Sequence, residues 1–258
     1  MSKVVIVTGS TSGIGLAIAK MFTSQQANVC LNGFGNPEDI QKEIEAITSN
    51  GSSRAIYHPA NLMNPDEVAD MVKTTYDHFG RIDILVNNAG IQHVSPIESF
   101  PKEKYEAIIQ INLSAAFYSI QAVVPIMKQQ NYGRIINIAS AHGLVASPFK
   151  SAYVAAKHGL IGLTKSVALE LAEHNVTCNA VCPGYVLTPL VKGQIADSAK
   201  ARGISEDAVV RDVMLANQPT KKFVQVAEVA EMVRYLSSDA AASITGSSFS
   251  IDGGWTAH

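Results

Sequence analysis

Residues 3–15, Lys3-Val-Val-Ile-Val-Thr-Gly-Ser-Thr-Ser-Gly-Ile-Gly15, determine the architecture of this chain. The first six are mostly apolar and β-branched, as in a short buried strand. Glycines follow at positions 9, 13 and 15, and residues 16–22 have the apolar spacing of a helix. Glycines there let a pyrophosphate approach the backbone, while the amides and positive dipole end of the new helix receive its charge. The order of strand, glycine turn and helix therefore predicts a dinucleotide-binding unit rather than an ordinary tight turn.

Strand-like and helical patterns alternate along almost the whole chain. The strands are expected near 3–8, 28–33, 54–58, 83–88, 133–140, 176–182 and 244–251. The helices are expected near 13–25, 38–49, 66–79, 102–128, 151–174 and 225–237. Right-handed crossovers between such elements give a parallel sheet with helices on both faces, and ligands bind beyond the carboxyl ends of its strands. The pattern predicts an α/β protein with a seven-stranded parallel sheet, as one doubly wound Rossmann domain over residues 1–258.

The segment from Thr188 to Thr220 departs from this alternation. It lies between the strand pattern at 176–182 and the helix pattern at 225–237, with scattered polar residues and a helical stretch near 204–216. Long connections are uncommon in compact domains, and some of them close over a substrate. The pattern alone supports a substrate lid and a packed helical excursion equally.

The composition fits a soluble globular protein of one domain. The 258 residues are 47% hydrophobic and 16% charged, which is enough apolar material for a large core. Part of the apolar surface is expected to contact other subunits. A formal net charge of -2 provides no general electrostatic footprint for nucleic acid or for an anionic membrane, so we expect neither as a partner.

The cysteines and the amino terminus indicate a cytoplasmic protein. Cys30, Cys178 and Cys182 form an odd set in apolar strand-like runs, as reduced core residues do. The chain opens directly with a strand and nowhere contains about 18 uninterrupted apolar residues, so neither export nor membrane spanning is expected. We also expect no metal site, because the histidines other than His142 lack ligand spacing; they are His58, His78, His93, His158, His174 and His258.

A proton-transfer site is predicted around Tyr153. Lys157 follows it by one helical turn, so the ammonium and the phenol share one helix face. Ser140 ends an apolar strand-like run 13 residues before the tyrosine. A phenol titrates near ~10, and working at neutral pH requires a fall of roughly 3 units, or ~4 kcal/mol of preference for the phenolate. One lysine is not expected to supply all of this, whereas a second positive charge, such as the ring of an oxidised nicotinamide, would add to it.

Seven motifs resemble, in order, those of the short-chain dehydrogenase/reductase family, and they span essentially the whole chain. They are Thr8-Gly-Ser-Thr-Ser-Gly-Ile-Gly15, Asn87-Asn-Ala-Gly90, Asn112, Ile138-Ala-Ser140, Tyr153-x-x-x-Lys157, Pro183-Gly184 and Asp252-Gly-Gly254. The resemblance implies that Ser140 hydrogen-bonds the substrate oxygen and that Tyr153 exchanges its proton. It also implies that Lys157 holds the nicotinamide ribose and biases the phenol, and that Asn112 supports a water relay.

NAD is the cofactor predicted from the end of the second strand. Neither residues 29–35 nor residues 10–12 contain the lysine or arginine that the extra phosphate of NADP would require. The carboxylate that often holds the ribose hydroxyls is also missing, so Gly33 and Phe34 are expected to shape that pocket, and Asn61 stands where many relatives have aspartate. By resemblance, the cofactor contacts Gly9, Thr11, Ser12, Gly13, Ile14, Gly15, Phe34, Asn61, Leu62, Asn88, Ala89, Gly90, Tyr153, Lys157, Pro183, Gly184, Val186 and Thr188.

Polar residues around the proton site predict a short substrate that carries a carboxylate. Gln92, His142 and Lys150 each lie two or three residues from a motif and should emerge at the same strand ends. A lysine, a histidine and an amide that converge beside a hydride site suit a carboxylate. Taken singly, a surface position for Lys150 and a capping or core role for His142 are the more ordinary interpretations.

Longer stretches resemble the bacterial D-3-hydroxybutyrate dehydrogenases, a branch of the same family. These stretches are residues 87–93, 135–147, 150–159 and 252–257. By this resemblance, Gln92, His142, Lys150 and Gln194 bind the carboxylate, with Gln194 brought in by the lid, and the rest of the substrate contacts Ser140, Tyr153, Tyr185 and Trp255. Tyr185 departs from the pattern, since relatives often have Trp at that position.

The resemblance implies NAD-dependent interconversion of (R)-3-hydroxybutyrate and acetoacetate by a cytoplasmic homotetramer, an activity of ketone body metabolism. The alternative among enzymes is a 3-oxoacyl carrier-protein reductase, or another short-chain alcohol dehydrogenase. Such a reductase should prefer NADPH and a neutral thioester, and it would gain little from Lys150 and His142. The alternative outside enzymes is a nucleotide-sensing binding module, which would not require Ser140, Tyr153 and Lys157 together.

Overall fold

Seven parallel strands form one sheet in the part of the chain that the computed structural model describes, residues 2–49, 53–188, 191–192, 195–196, 199 and 203–257. The strands are β1 (Val4–Val7), β2 (Asn28–Asn32), β3 (Ala55–His58), β4 (Ile84–Asn87), β5 (Gly133–Ile138), β6 (Val176–Pro183) and β7 (Ser248–Ile251). Their order across the sheet is β3-β2-β1-β4-β5-β6-β7. Because β1 pairs with β2 on one side and with β4 on the other, the direction of winding reverses there and leaves a crevice at the carboxyl ends. The predicted fold class is confirmed.

Helices connect successive strands and cover both faces of the sheet. They are α1 (Gly13–Ser24), α2 (Pro37–Thr48), α3 (Pro65–Phe79), α4 (Lys102–Ile109), α5 (Ala115–Gln130), α6 (Ser151–Glu170), a short α7 (Glu206–Ala208) and α8 (Val226–Leu236). The helix expected near 66–79 begins at Pro65, because the Asn64 side chain accepts a hydrogen bond from the Asp66 amide and Pro65 occupies the first turn.

Alternation along the strands divides the core into two layers. On β1, Val5 and Val7 belong to the layer that contains α1 and α8, whereas Ile6 belongs to the layer that contains α3 and α5. All three side chains are fully buried. A strand that is buried on both faces has a continuous apolar sequence, which explains the unbroken Val-Val-Ile-Val run at residues 4–7.

The helix expected over residues 102–128 is interrupted. A π-helical segment, Gln110–Ser114, lies between α4 and α5. Within it, the buried Asn112 side chain accepts from the Ile91 amide at 2.8 Å and donates to the Ile91 carbonyl at 2.9 Å. Single π-helical turns of this kind are frequently found at functional sites. The interruption places an amide side chain against the loop that follows β4.

The strand expected over residues 244–251 is shorter than predicted. β7 begins only at Ser248. Gly246 adopts a φ of 69°, and its amide donates to the Cys178 carbonyl at 2.8 Å. The chain therefore turns before the strand, in a conformation that favours glycine.

In the described part of the chain, α4, the π-helical turn and α5 together form one helical stretch, Lys102–Gln130, that is long and apolar enough to cross a membrane. Core helices of globular proteins pass the same test. Ile120, Val123 and Met127 of this stretch are buried in the layer that contains α3. The stretch is therefore weak evidence for a membrane span.

The described parts of the segment 188–220 include a small packed unit. α7 continues into a second π-helical segment, Val209–Met214, where the helical stretch near 204–216 was predicted. Val209 and Met214 are buried and pack with Ile195. Gln194, which the family resemblance places at the substrate, lies outside the described residues.

Candidate active site

A cleft of about 450 Å³ opens at the carboxyl ends of the strands, where the crevice beside β1 was expected. It extends from the glycine turn after β1 to Tyr153 and Lys157 on α6. Two residues predicted to take part, Gly15 and Asn112, lie behind this lining. The predicted site residues that line the cleft are Gly9, Thr11, Ser12, Gly13, Ile14, Gly33, Phe34, Asn61, Leu62, Asn88, Ala89, Gly90, Gln92, Ser140, His142, Lys150, Tyr153, Lys157, Pro183, Gly184, Tyr185, Val186, Thr188 and Trp255.

The cleft is also lined by residues that the sequence did not single out. These are Asn32, Ala60, Ile91, Ile111 and Val191; Ile138 and Ala139, which precede the serine in the motif Ile138-Ala-Ser140, line it as well. Asn32 is the last residue of β2, and its position at the carboxyl end of a strand could have indicated that it lines the cleft. Ile111 and Val191 had no such signal, because packing of the segments after α4 and β6 brings them to the cleft.

The glycine turn after β1 is folded tightly against the loop that follows β4. A methyl group added at Gly15 would lie 2.3 Å from the Gly9 carbonyl oxygen and 2.6 Å from the Asn88 side-chain nitrogen. Asn88 donates from that nitrogen to the carbonyls of Thr8 and Gly9, at 3.0 and 2.9 Å. The Thr8 hydroxyl in turn accepts from the amides of Asn88 and Ala89. Glycine at position 15 therefore makes room for the amide that holds the turn.

The start of α1 forms the part of the cleft that suits phosphate. Gly13 lines the cleft with a φ of 56°, and the side chain of the N-cap residue Ser12 accepts no hydrogen bond from the described amides of the first turn. Those amides, at the positive end of the helix dipole, are available to an anion. The residues at this end of the cleft fit the pyrophosphate of a dinucleotide.

Neutral side chains and backbone groups fix the loop after β2. The Asn32 side chain donates to the carbonyls of His58 and Ala60, at 3.1 and 3.0 Å. The Thr11 hydroxyl donates to the Phe34 carbonyl at 2.9 Å. These bonds join the ends of β1, β2 and β3 into one wall of the cleft, and all the groups involved are uncharged.

Charge along the cleft is uneven. Among the described lining residues, the lysines and arginines are Lys150 and Lys157, and both belong to the α6 side. On the opposite side, the side-chain oxygen of Asn61 already accepts a hydrogen bond from the Met63 amide at 3.0 Å. This side chain therefore has its NH₂ group to offer as a donor.

Tyr153 and Lys157 lie on successive turns of α6 and face the end of β5. Lys157 is buried; its Nζ donates to the Ile138 carbonyl at 2.7 Å and lies 5.6 Å from the centroid of the Tyr153 ring. The Ser140 side chain hydrogen-bonds the phenol. Its Oγ also accepts from the His142 amide at 3.1 Å. The three side chains that were predicted to act together are thus brought together.

Burial dominates the electrostatics of this pair. Desolvation raises the pKa of Tyr153 to about 12, although the hydrogen bond from Ser140 opposes the rise. Desolvation also lowers the pKa of Lys157 to about 8. The expectation that Lys157 would favour the phenolate is therefore outweighed in the protein alone, because the ammonium and the phenol both lose contact with water. A second positive charge beside the ring must therefore stabilise the phenolate by more than the sequence indicated.

Asn112 supports the site from behind. Its two hydrogen bonds to Ile91 hold the loop that follows Gly90. A methyl group added at Gly90 would lie 3.3 Å from the Asn112 side-chain oxygen and 3.7 Å from the Lys157 Nζ. A side chain at position 90 would therefore contact both the amide and the ammonium.

We call one part of the cleft its α6 end. It is formed by the side chains of Lys150, His142, Tyr185 and Trp255. Lys150 donates to the Tyr185 hydroxyl at 2.8 Å. The Tyr185 ring stacks on Trp255 with centroids 5.7 Å apart and planes 8° from parallel, and the His142 ring meets Trp255 edge-on at 4.9 Å. Burial, and then the charge of Lys150, lower the pKa of His142 to about 4. At neutral pH this end therefore presents a lysine and a neutral imidazole.

Known proteins resemble this chain over its whole length. A family model described as enoyl-(acyl carrier protein) reductase matches residues 9–256. A D-beta-hydroxybutyrate dehydrogenase of Rhizobium meliloti (strain 1021) is 57% identical over 257 residues, which is 100% of both chains. A second protein of that name, from Cupriavidus necator, is 49% identical over 255 residues, 99% of this chain and 98% of the relative. A 3-oxoacyl-[acyl-carrier-protein] reductase of Synechocystis sp. is 38% identical over 254 residues, 98% of this chain and 96% of the relative.

The fold and these matches agree on the kind of cofactor and on the family. A parallel sheet with a glycine turn after β1, in a chain with such relatives, points to a nicotinamide dinucleotide. The family model covers nearly all of the residues, and two relatives share about half or more of them. The chain belongs to the short-chain dehydrogenase/reductase family.

Proposed function

We propose that this chain catalyses the reversible, NAD-dependent oxidation of (R)-3-hydroxybutyrate to acetoacetate. The observation that carries the proposal is a single cleft lined both by Ser140, Tyr153 and Lys157 and by Lys150 and His142. The first three suit proton transfer at an alcohol, and the last two suit a carboxylate beside it. The two relatives named D-beta-hydroxybutyrate dehydrogenase support the same substrate.

Proton transfer is assigned to Tyr153. In the oxidation direction, its phenolate oxygen accepts the proton of the substrate hydroxyl. Ser140, whose oxygen already accepts a hydrogen bond from the His142 amide, turns its one hydroxyl hydrogen from the phenol to the substrate oxygen when the substrate binds. Lys157 contributes a buried positive charge beside the ring, and Asn112 supports the water relay that carries the proton to solvent. The bound nicotinamide supplies the hydride acceptor.

The substrate carboxylate is assigned to Lys150, His142, Gln92 and Gln194. Lys150 provides the charge-assisted hydrogen bond, which is the strongest kind available to a carboxylate. His142 is neutral at the working pH, because its pKa lies at about 4, and it contributes a hydrogen bond without a second charge. Gln92 lines the same cleft. The segment from Thr188 to Thr220 acts as the lid that brings Gln194 to this group.

NAD is proposed over NADP. The extra phosphate of NADP would lie beside the loop after β2, where uncharged groups such as the Asn32 and Thr11 side chains and backbone carbonyls make polar contacts. The two lysines among the described lining residues belong to the α6 side instead. A dianionic phosphate at the β2 end would thus meet no compensating cation among the described lining residues.

A cytoplasmic homotetramer is proposed as the assembly. Tyr105, Phe117 and Leu169, on α4, α5 and α6, are large apolar side chains that are 50%, 47% and 80% exposed. Exposed apolar residues on neighbouring helices support contacts between subunits. Light scattering should give the mass of four chains of 27.5 kDa, and the mass of one chain would contradict the proposal.

Steady-state kinetics with a panel of substrates tests the function. The panel contains both enantiomers of 3-hydroxybutyrate, the methyl ester of the (R) form, a 3-oxoacyl thioester, and both nicotinamide cofactors in the appropriate redox state. We expect the highest kcat/KM with (R)-3-hydroxybutyrate and NAD, and a fall of at least about 10-fold for the ester, which lacks the charge. A preference for the thioester and NADPH would instead identify a 3-oxoacyl carrier-protein reductase. Binding of NAD without turnover of any substrate would indicate a binding module.

A further inference from the structure

Tyr185 and Lys150 contact each other directly inside the cleft. The Lys150 ammonium donates to the Tyr185 hydroxyl at 2.8 Å and lies 5.0 Å from the centroid of that ring. A lysine side chain is a flexible chain that occupies many rotamers when nothing restrains it. The bond to Tyr185 selects one of them, with the ammonium at the wall of the cleft that both residues line.

Tyr185 is itself held at both its ring and its backbone. Its ring stacks on Trp255, which is buried. Its amide donates to the Gln218 side-chain oxygen at 2.6 Å, and its carbonyl accepts from the Val224 amide at 2.9 Å. Gln218 is fully buried and donates in turn to the Lys222 carbonyl. The hydroxyl of Tyr185 is therefore a fixed point to which a flexible cation is attached.

We propose that Tyr185 is a positioning residue for substrate recognition: its hydroxyl holds Lys150 where the carboxylate of the hydroxy acid binds. The proposal rests on the proposed function, and it adds a residue, Tyr185, that acts on the substrate through Lys150. Holding the lysine before the substrate arrives removes part of the entropy loss that binding would otherwise carry. The contribution is specific to the hydroxyl, since phenylalanine at this position would keep the ring that stacks on Trp255 but would lack the oxygen that Lys150 contacts.

A double-mutant cycle tests the proposal. KM and kcat for (R)-3-hydroxybutyrate are measured at saturating NAD for the wild type, Tyr185→Phe, Lys150→Met and the double variant. Tyr185→Phe should raise KM about 3- to 10-fold, as expected when one side chain must be immobilised on binding, and should leave kcat within about 2-fold. In the Lys150→Met background, the same change should alter KM by less than about 2-fold.

Two outcomes of the cycle would overturn the proposal. An unchanged KM in Tyr185→Phe would show that Lys150 needs no support. An equal rise in KM with and without Lys150 would show that Tyr185 contacts the substrate directly. Tyr132→Phe is the matched control, because it removes a hydroxyl that bonds Asp239 at 3.4 Å, outside the cleft, and it should leave KM unchanged.

A measurement without substrate separates this proposal from the proposed function. The ¹⁵N resonance of the Lys150 ammonium, assigned by its loss in Lys150→Met, should be observable in the wild type and broadened beyond detection in Tyr185→Phe. The same resonance in both proteins would overturn the positioning role. If the wild type does not oxidise (R)-3-hydroxybutyrate, the proposed function fails, and the resonance still decides whether Tyr185 holds Lys150.

Discussion

Gly15→Ala perturbs the tightest point of the cofactor site. The added carbon would lie 2.3 Å from the Gly9 carbonyl oxygen, 2.6 Å from the Asn88 side-chain nitrogen and 2.8 Å from the Ser10 Cα. Two of these atoms belong to the backbone, so the turn itself must move. Overpacking of this kind costs about 1–3 kcal/mol, and losing the two hydrogen bonds from Asn88 adds about 1 kcal/mol each. We expect a loss of roughly 3–5 kcal/mol in the free energy of unfolding.

Urea unfolding measures this loss, and isothermal titration calorimetry measures the dissociation constant for NAD, which should rise at least about 10-fold as the turn shifts. Gly162→Ala is the matched control, because it adds the same methyl group on an exposed face of α6, with nothing among the described residues within 4 Å. That variant should stay within about 1 kcal/mol of the wild-type stability and keep its NAD affinity. Wild-type stability and NAD affinity in Gly15→Ala would refute the argument from packing.

Three further variants test individual side chains of the cleft. Tyr153→Phe should keep NAD binding, measured by calorimetry, while kcat falls by about 10²–10⁴, because the group that exchanges the proton is lost; wild-type turnover would exclude Tyr153 from that role. Lys150→Ala should raise KM for short hydroxy acids at least about 10-fold, with little change for butan-2-ol, which has no carboxylate; an unchanged KM would remove the carboxylate site. His142→Gln tests the burial of the imidazole through the pH dependence of stability. Burial lowers the pKa of His142 from an ordinary 6.5 to about 4, so the folded protein favours the neutral ring. The contribution of that ring to the free energy of unfolding is complete above pH 6.5 and is lost as the pH falls toward 4. Between those values the wild type should lose up to about 3 kcal/mol of stability that the variant does not lose, as measured by urea unfolding at each pH.

The sheet and most of the cleft could be predicted because they depend on local patterns. The buried run at residues 4–7 and the glycines after it specify a strand, a turn and a helix within a few residues. Once the strands are parallel, their carboxyl ends meet at one edge, so motifs distant in sequence converge there. The site residues that line the cleft followed from that geometry together with the family resemblance.

Features that depend on packing between distant segments could not be predicted. The π-helical turn at Asn112 follows from its bonds to Ile91, which lies 21 residues away. The contact between Lys150 and Tyr185 joins residues 35 apart through the side chains of two loops. The pKa of Tyr153 is a third case, since helical spacing indicates the nearby charge but not the desolvation that outweighs it.

Titration of Tyr153 with and without NAD tests the central claim most directly. Burial places the pKa of this phenol at about 12 in the protein alone. Activity near pH 8 then requires a fall of about 4 units, or roughly 5 kcal/mol, when the oxidised cofactor binds. Because that fall favours the phenolate, NAD should bind more tightly as the pH rises toward 12, and Tyr153→Phe should not share this dependence.

The measurement is the ultraviolet difference spectrum of tyrosinate, with Tyr153→Phe subtracted to remove the other seven of the 8 tyrosines. We predict that saturating NAD lowers the apparent pKa of Tyr153 by at least about 3 units, and that Lys157→Met reduces the shift. The same pKa in the presence and absence of NAD would contradict the account.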